Sequence, residues 1–98
     1  MAGLTLSARG QGRASAGYAV APPERGRGVA AQALRALTVL AWDLPELHRL
    51  DAYVEPWNVA SLRTAERAGY VREGLLRSHQ VIGGRRVDLV ILSALRPT

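Results

Sequence analysis

The sequence predicts an α/β domain whose elements follow one another in the order β-β-α-β-α-β-β. Three observations support this prediction: apolar residues change from alternation to a helical period at residue 28, Pro and Gly separate the segments, and Gly83-Gly84 marks a hairpin turn. A chain of 98 residues is long enough for one such domain with a modest core.

Five segments read as strands. They are residues 3–6, 16–21, 47–54, 70–81 and 87–95. A stretch rich in turn-forming residues, 8–15, separates the first two. Pro22 and Pro23 follow the second strand and cannot continue a central ladder. The last two strands flank the Gly83-Gly84 turn and are therefore expected to form a hairpin.

Two segments read as helices. The first begins at Gly28 and stops before Pro45, and Asn58 opens the second as an N-cap because its side chain can accept from first-turn amides. Gly69 ends the second helix as a residue that tolerates positive φ. The apolar positions expected to face inward are Val29, Ala30, Ala33, Leu34, Leu37, Leu40 and Ala41 in the first helix, and Leu62, Ala65 and Ala68 in the second.

Composition narrows the functional classes. The chain has no Cys, which excludes a disulfide framework, a thiolate metal site and a Cys nucleophile. It has no apolar run long enough to span a membrane and no signal-peptide pattern, so we expect a cytoplasmic protein without a metal. The net charge of +5 comes from Arg without Lys, and scattered Arg residues disfavour nucleic-acid binding while suiting a phosphate-rich ligand.

The junction at residues 20–30 carries the strongest functional signal. There a strand ends, a Gly-containing loop turns, and a helix begins. The first amides of a helix lack intrahelical partners and can bind a phosphate. Gly26 and Gly28 allow close approach, and Arg25 and Arg27 add positive charge. The alternative is a plain strand-to-helix turn in which the glycines serve geometry alone.

The same junction resembles a known signature. Arg25-x-x-Gly28-x-Ala30, behind Val20-x-Pro22, is similar to the coenzyme A motif of GNAT acetyltransferases, Gln/Arg-x-x-Gly-x-Gly/Ala after a Val-x-Pro strand end. A second run, Asn58-x-x-Ser61-x-x-x-x-Glu66-x-x-Gly69-Tyr70 followed by Glu73-Gly74, resembles the ribosomal-protein N-terminal acetyltransferase branch. Gly84-x-x-x-Asp88-x-x-x-Leu92 is also similar to that branch.

The resemblance implies an acetyl-CoA-dependent N-acetyltransferase acting on a primary amine, either a protein N-terminus or a small molecule. It implies that Ser61 protonates the departing thiolate. The positions it implies for the cofactor are Val20, Arg25, Gly26, Arg27, Gly28, Val29, Ala30 and Asn58. Backbone amides at the end of the second strand would stabilise the oxyanion. The alternatives are a helix cap for Asn58 and an exposed first-turn residue for Ser61.

Other positions of the motifs read as structural. Glu66 lies far from the phosphate end of its helix. Tyr70 stands where the family usually has Phe and is expected in the core. For Asp88 we expect an ion pair with Arg85, Arg86 or another Arg.

The sequence does not identify a general base. The branch often has Glu where this chain has Ser15, and other members have Glu where it has Tyr53. Glu55 is the nearest carboxylate, but a solvated acid at the end of a strand is the simpler interpretation. His48 and His79 could serve chemically, although no spacing ties either to the site.

The chain is shorter than the family's domain. The N-terminal strand and two helices of the full fold, which form much of the acceptor wall, have no counterpart among residues 1–98. We therefore expect a partial domain, the cofactor-binding half, completed by a second chain or a homodimer, because an incomplete sheet exposes strand edges. The alternatives are a truncated coenzyme A-binding module without acceptor chemistry and, more weakly, a basic nucleic-acid-binding domain.

Overall fold

A computed structural model describes the backbone of residues 2–5, 9–18 and 27–98 and the side chains of residues 10–16 and 29–98. The elements are β1 (Ala2–Thr5), a 3-10 turn (Arg9–Gln11), β2 (Arg13–Tyr18), α1 (Arg27–Ala41), β3 (Arg49–Val54), α2 (Val59–Arg67), β4 (Val71–Ile82) and β5 (Arg85–Leu95). The predicted order β-β-α-β-α-β-β is confirmed, and each boundary lies within a few residues of its expected position.

The five strands form one mixed sheet in the order β1-β2-β3-β5-β4. Neighbouring strands are antiparallel except for β2 and β3, which run parallel. The turn between β4 and β5 consists of Gly83 and Gly84, with φ of 60° and 77°. Two consecutive positive φ angles define the tight hairpin turn that the sequence predicts, and glycine adopts them without a steric cost.

The core lies between one face of the sheet and the two helices. Leu34 of α1, Leu50 of β3 and Leu92 of β5 are fully buried together with Leu47. Leu62 and Ala65 of α2 pack against the same face. Burying each Leu side chain contributes roughly 1.5–3 kcal/mol. Helix α1 packs against β1 and β2, and α2 packs against β3 and β4.

Only part of the apolar surface predicted for α1 faces the sheet. Leu34 and Ala41 are buried and Leu37 is partly buried, as expected, but Val29 and Leu40 are exposed by 67% and 63%. Ala33 is exposed as well. The apolar stripe of α1 is wider than the surface that a flat sheet can contact, so one of its two rows faces outward.

The end of α2 forms as the sequence predicts. Gly69 has φ of 97°, and its N–H donates to the Glu66 carbonyl while the Tyr70 N–H donates to the Ala65 carbonyl. This pair of hydrogen bonds is the Schellman arrangement, which satisfies the last helical carbonyls. It also turns the chain so that Tyr70 enters the core.

Tyr70 is 2% exposed, which agrees with the predicted core position. Its hydroxyl lies 2.8 Å from the Thr38 hydroxyl, and Thr38 also donates to the Leu34 carbonyl at 2.7 Å. Burial raises the pKa of the Tyr70 phenol above its ordinary value, although the Thr38 hydrogen bond opposes the shift. The phenol is therefore held in its neutral form.

We predict that the free energy of unfolding falls at alkaline pH because of Tyr70. The folded pKa is raised, so the stability is complete below the unfolded pKa of about 10 and is lost as pH rises through the folded pKa. Tyr70→Phe should cost about 1 kcal/mol at neutral pH and weaken the alkaline loss. Urea unfolding across this pH range checks it. Tyr53→Phe, at an exposed tyrosine, is the control and should leave the alkaline loss in place.

Candidate functional site

The sheet opens between its two parallel strands. The ladder of β2 and β3 consists of Arg13–Arg49, Ala14–Leu50 and Ser15–Asp51 and goes no further within the described residues. Both strands continue beyond it, to Tyr18 and Val54, each paired only with its outer neighbour. The facing edges of residues 16–18 and 52–54 therefore do not bond to each other. In open α/β sheets, ligands bind at the carboxyl ends of strands where neighbouring strands separate.

Both helices begin at the end of the sheet where this opening lies. Residues 42–48 lead from α1 to the start of β3, and the His48 and Arg49 N–H groups donate to the Gly12 carbonyl at the start of β2. Since α1 ends at the amino ends of the strands, it begins at their carboxyl ends. Helix α2 follows β3 directly and starts at Val59. Two helix N-termini, each with positive partial charge, are thus on the same side as the opening.

The first turn of α1 consists of Arg27, Gly28, Val29 and Ala30 and contains no acidic residue. The helix begins one residue earlier than the sequence predicts. Val29 is 67% exposed and Ala30 is partly buried, so this end of the helix is accessible to solvent. The predicted cofactor residues Val20, Arg25 and Gly26 lie outside the described residues.

Asn58 caps α2 as the sequence predicts. Its Oδ1 accepts a hydrogen bond of 3.2 Å from the Ser61 N–H. The backbone of Asn58 has φ of −86° and ψ of 73°. The Asn58 side chain is partly buried. The capping interaction fixes the first turn of α2 beside the end of β3 and brings the two predicted site residues of this motif together.

Ser61 is 2% exposed, so its interpretation as an exposed first-turn residue is wrong. It lies on the inward side of α2 with Leu62 and Ala65. A Ser that is buried in the first turn of a helix is held in a fixed position. That is the condition under which a hydroxyl can deliver a proton to a defined point.

The sheet face opposite the helices carries a polar network that the sequence analysis did not identify. Arg49 Nε donates to Asp51 at 2.6 Å, and the Arg49 guanidinium also pairs with Glu73, which accepts from the Ser93 hydroxyl. Asp51 is 5% exposed. The hydrogen bond from Arg49 and the one from Ser93 lower the pKa of Glu73, and the Glu73 contact raises the pKa of Arg49. The Arg-x-Asp spacing within one strand was the available signal, since it places both side chains on one face.

This network occupies the rung at which the parallel ladder ends. Ser15, where the resembling branch often has Glu, is the ladder partner of Asp51. Paired residues of a parallel ladder share a face. The buried carboxylate of Asp51 therefore lies beside Ser15, on the neighbouring strand. The Asp51 carboxylate is bound by Arg49 of the same strand.

Tyr53, two residues beyond Asp51, is stacked with His79 of β4. Their ring centroids are 5.8 Å apart and their planes differ by 10°. No sequence spacing ties His79 to this face; the structure brings it there across β5. His48, in contrast, lies just before β3, at the opposite end of the strands from the opening.

A bulge in β4 explains how His79 reaches Tyr53. Leu76 pairs with Leu89 and Gln80 with Val87, so three residues of β4, 77–79, oppose Asp88 alone. Ser78 has φ of 51°, and its N–H donates to Asp88 at 2.7 Å. The prediction of an ion pair for Asp88 is wrong. Among the described side chains no Arg pairs with it, and its carboxylate instead accepts from the backbone of the bulge. Bulges commonly redirect side chains in this way.

Glu66 has the structural role that the sequence predicts. Its carboxylate accepts two hydrogen bonds from the Arg72 guanidinium, at 3.0 and 3.2 Å.

Neither described helix is long and apolar enough to cross a membrane. In the described part of the chain, no three His, Asp or Glu side chains are grouped so that they could hold a metal ion.

Comparisons with known proteins agree with the geometry. The acetyltransferase (GNAT) domain family matches residues 1–71. A relative named Probable N-acetyltransferase YjcK, from Bacillus subtilis (strain 168), is 35% identical over 81 residues, which cover 83% of this chain and 45% of the relative. The structure of a ribosomal-protein-serine acetyltransferase candidate from Vibrio cholerae has a TM-score of 0.76 at 29% identity, covering 87% of this chain and 49% of that chain.

A third similar protein was solved with a ligand. The structure of Microcin C7 self-immunity acetyltransferase MccE, in complex with acetyl-CoA and AMP, has a TM-score of 0.78 at 25% identity. The match covers 90% of this chain and 49% of that chain. The chain thus spans about half the length of the relatives it matches. The resemblance to N-acetyltransferases, including ribosomal-protein acetyltransferase-like members, is confirmed.

We predict that Asn58→Ala lowers the free energy of unfolding by about 1 kcal/mol, because the Ser61 N–H loses its acceptor at the start of α2. Asn58→Asp should stay close to the parent chain, since a carboxylate also accepts from this amide and suits the helix N-terminus. Urea unfolding of the three proteins at neutral pH measures the difference. An equal loss in both variants would contradict a capping role.

Proposed function

The chain belongs to the acetyltransferase (GNAT) family, and we propose that it is the acetyl-CoA-binding half of an N-acetyltransferase that acts on primary amines. In this proposal residues 25–30 hold the pyrophosphate. Residues 1–98 are a single partial domain. Acetyl-CoA supplies an activated acetyl group, and the chain binds and orients the cofactor.

One observation carries the proposal. The sheet separates after Ser15 and Asp51, and the first turn of α1, free of acidic side chains, lies at the same end of the strands. Helix-terminal N–H groups attract anions, and an acidic residue in that turn would compete with a phosphate. Gly28, in the first turn, adds no side chain between these amides and a ligand. The residues present therefore fit a pyrophosphate, with Arg25, Gly26, Arg27, Val29 and Ala30 as its other neighbours.

The opening also suits the rest of the cofactor. The facing edges of β2 and β3 have backbone groups that do not bond across the gap. A pantetheine arm is itself amide-rich, so it can replace the missing ladder partners, with Val20 and Asn58 as further contacts. Amides at the end of β2 would then lie near the thioester carbonyl and stabilise an oxyanion.

Ser61 is proposed as the group that returns a proton to the departing thiolate. The Ser61 N–H is bound by Asn58, and the residue is 2% exposed at the start of α2. A fixed hydroxyl next to a developing thiolate shortens the proton transfer that ends the reaction. Direct attack of a neutral amine on the thioester fits a chain that has no Cys for a covalent intermediate.

The acceptor is proposed to be a protein N-terminal amine or a small-molecule amine, in the cytoplasm, with a homodimer or a second chain completing the acceptor wall. A second candidate function is a coenzyme A-binding module without acetyl transfer. The half-length match to relatives favours it, as do Ser15 and Tyr53 at positions where a carboxylate base is common. The two functions share the cofactor site and differ in turnover.

We predict that Gly28→Glu weakens coenzyme A binding by at least about 2 kcal/mol, roughly thirtyfold in Kd, because it adds bulk and negative charge beside the pyrophosphate. Isothermal titration calorimetry measures the affinity, and circular dichroism checks the fold. Gly10→Glu is the matched control. Gly10 lies in the 3-10 turn before β2, at the other end of the sheet, and a Cβ there meets no atom within 4 Å.

Equal affinity of the Gly28→Glu and parent chains would remove the phosphate-site assignment. A comparable loss in Gly10→Glu would do the same, because it would show a general effect of added negative charge. The expected pattern is loss at position 28 alone.

We predict that Ser61→Ala slows turnover by about a hundredfold while changing coenzyme A affinity by less than about twofold. The variant keeps the backbone N–H that Asn58 binds, so the helix cap should persist. Thiol release with a panel of primary amines gives kcat. Ser93→Ala removes another buried hydroxyl, 3% exposed, on the sheet face opposite the helices, and should leave kcat close to that of the parent chain. An unchanged kcat in Ser61→Ala would rule out the proton-donor role.

A further inference from the structure

A pocket lies past the end of β3, between two parts of the chain that are distant in sequence. The last ladder pair of β3 is Val54 with Val90, whereas β5 begins at Arg85, so the β4–β5 hairpin extends beyond β3. The connection from β3 to α2, residues 55–57, crosses beside this extension. Together they line an open pocket with a volume of about 440 Å³. This volume is in the range of small-molecule sites.

One wall of the pocket is held in place by the bulge of β4. The Arg86 guanidinium donates to the Ser78 carbonyl at 2.7 Å and to the Ser78 hydroxyl at 2.8 Å, while Asp88 accepts from the Ser78 N–H at 2.7 Å. Arg86 and Asp88 both line the pocket. Both side chains are hydrogen-bonded to Ser78, so they hold the shape of the hairpin beside the pocket.

Two further charged side chains line the pocket, Glu55 from the β3–α2 connection and Arg85 from the hairpin. The described residues form an ion pair with neither of them. Among the charged residues of the lining, Glu55 and Arg85 are therefore the carboxylate and the guanidinium that no described residue binds, whereas Arg86 and Asp88 keep their charges but are hydrogen-bonded to Ser78. Apolar surface completes the lining, with Trp57 exposed by 71% and Ile82 by 42%.

We propose that this pocket binds the acceptor as a small amine that also carries a carboxylate. Glu55 receives its ammonium group, Arg85 its carboxylate, and Trp57 and Ile82 contact the chain between them. A guanidinium can bind a carboxylate through two parallel hydrogen bonds, which orients the ligand. An amine without an anionic group leaves Arg85 unmatched, so the pocket favours amino acids over simple amines.

The position of the pocket links it to the acetyl-transfer site, and the proposal rests on the function proposed above. Residues 55–57 immediately precede Asn58, the N-cap of α2. A ligand held by Glu55 is thus at the same end of the sheet as the opening between β2 and β3.

The test compares ω-amino acids of increasing chain length with their own primary amides in the thiol-release assay. The parent chain should prefer the amino acids. Arg85→Gln should lower kcat/KM for the amino acids by about tenfold to a hundredfold and leave the amides within about twofold. Arg77→Gln is the control: it removes the same charge from the same hairpin, at a residue that does not line the pocket, and should keep the preference.

A second readout does not depend on turnover. The chain has two Trp residues, and Trp42 stacks under Arg96, with the guanidinium carbon 5.3 Å from its ring centroid, while Trp57 lines the pocket. In NMR titrations with an ω-amino acid, the indole N–H resonance of Trp57 should shift and that of Trp42 should not. Arg85→Gln should weaken this shift, and the amide should produce a smaller one.

The outcomes separate the two proposals. If the Trp57 resonance shifts in a way that depends on Arg85 but no amine is turned over, the pocket proposal is supported and the proposal of acetyl transfer is overturned. Turnover with equal rates for amino acids and amides overturns the pocket proposal while acetyl transfer stands. A peptide with an acidic second residue that outcompetes every amino acid also overturns it, because the ligand would then be a protein N-terminus.

Discussion

Strands β2 and β3 part after a three-residue ladder, and the layout of the proposed cofactor site follows from this separation. Parallel strands must be connected by a crossover, and here each strand leads into a helix whose first turn lies at the end where the strands part. The separation of β2 and β3 thus leaves a gap lined by backbone groups, with two helix N-termini at the same end of the sheet. The site proposed for acetyl-CoA needs nothing more elaborate than this arrangement.

Two contacts across β5 then decide where the C-terminal hairpin lies. Among the described strands, β4 lies at the edge of the sheet and bonds only to β5, yet the Glu73 carboxylate reaches Arg49 of β3, and His79 stacks on Tyr53 of β3. The first contact is a salt bridge between partly exposed side chains, which contributes little alone. With the Asp51 and Ser93 contacts it becomes a network that spans three strands. The network holds the hairpin in register, so the hairpin tip can form one wall of a pocket.

The exposed faces of the molecule agree with a chain that spans half of its relatives. One row of apolar residues on α1 faces outward, and Tyr53 remains 40% exposed on the face opposite the helices. The proposed acceptor pocket is built only from residues 55–88, which the structure describes. Its charges support the proposed substrate class from described residues alone.

Local sequence patterns are enough to predict the element order, the caps and the family. Asn58, Gly69 and the Gly83-Gly84 turn act on backbone groups only a few residues away, so a local pattern is enough to identify them. The phosphate motif is equally local, and Tyr70 was assigned to the core from its place in a motif.

Which side chains meet depends on the pairing of segments that are distant in the sequence. Arg49 and Glu73 are 24 residues apart, and Asp88 exchanged its expected ion pair for the Ser78 amide, because a bulge in β4 changed which residues face each other. The same bulge brought His79 to Tyr53, and the length of the hairpin past β3 placed Arg85 across a pocket from Glu55. Register, bulges and strand lengths depend on pairing between distant segments, and no periodicity within one segment encodes them.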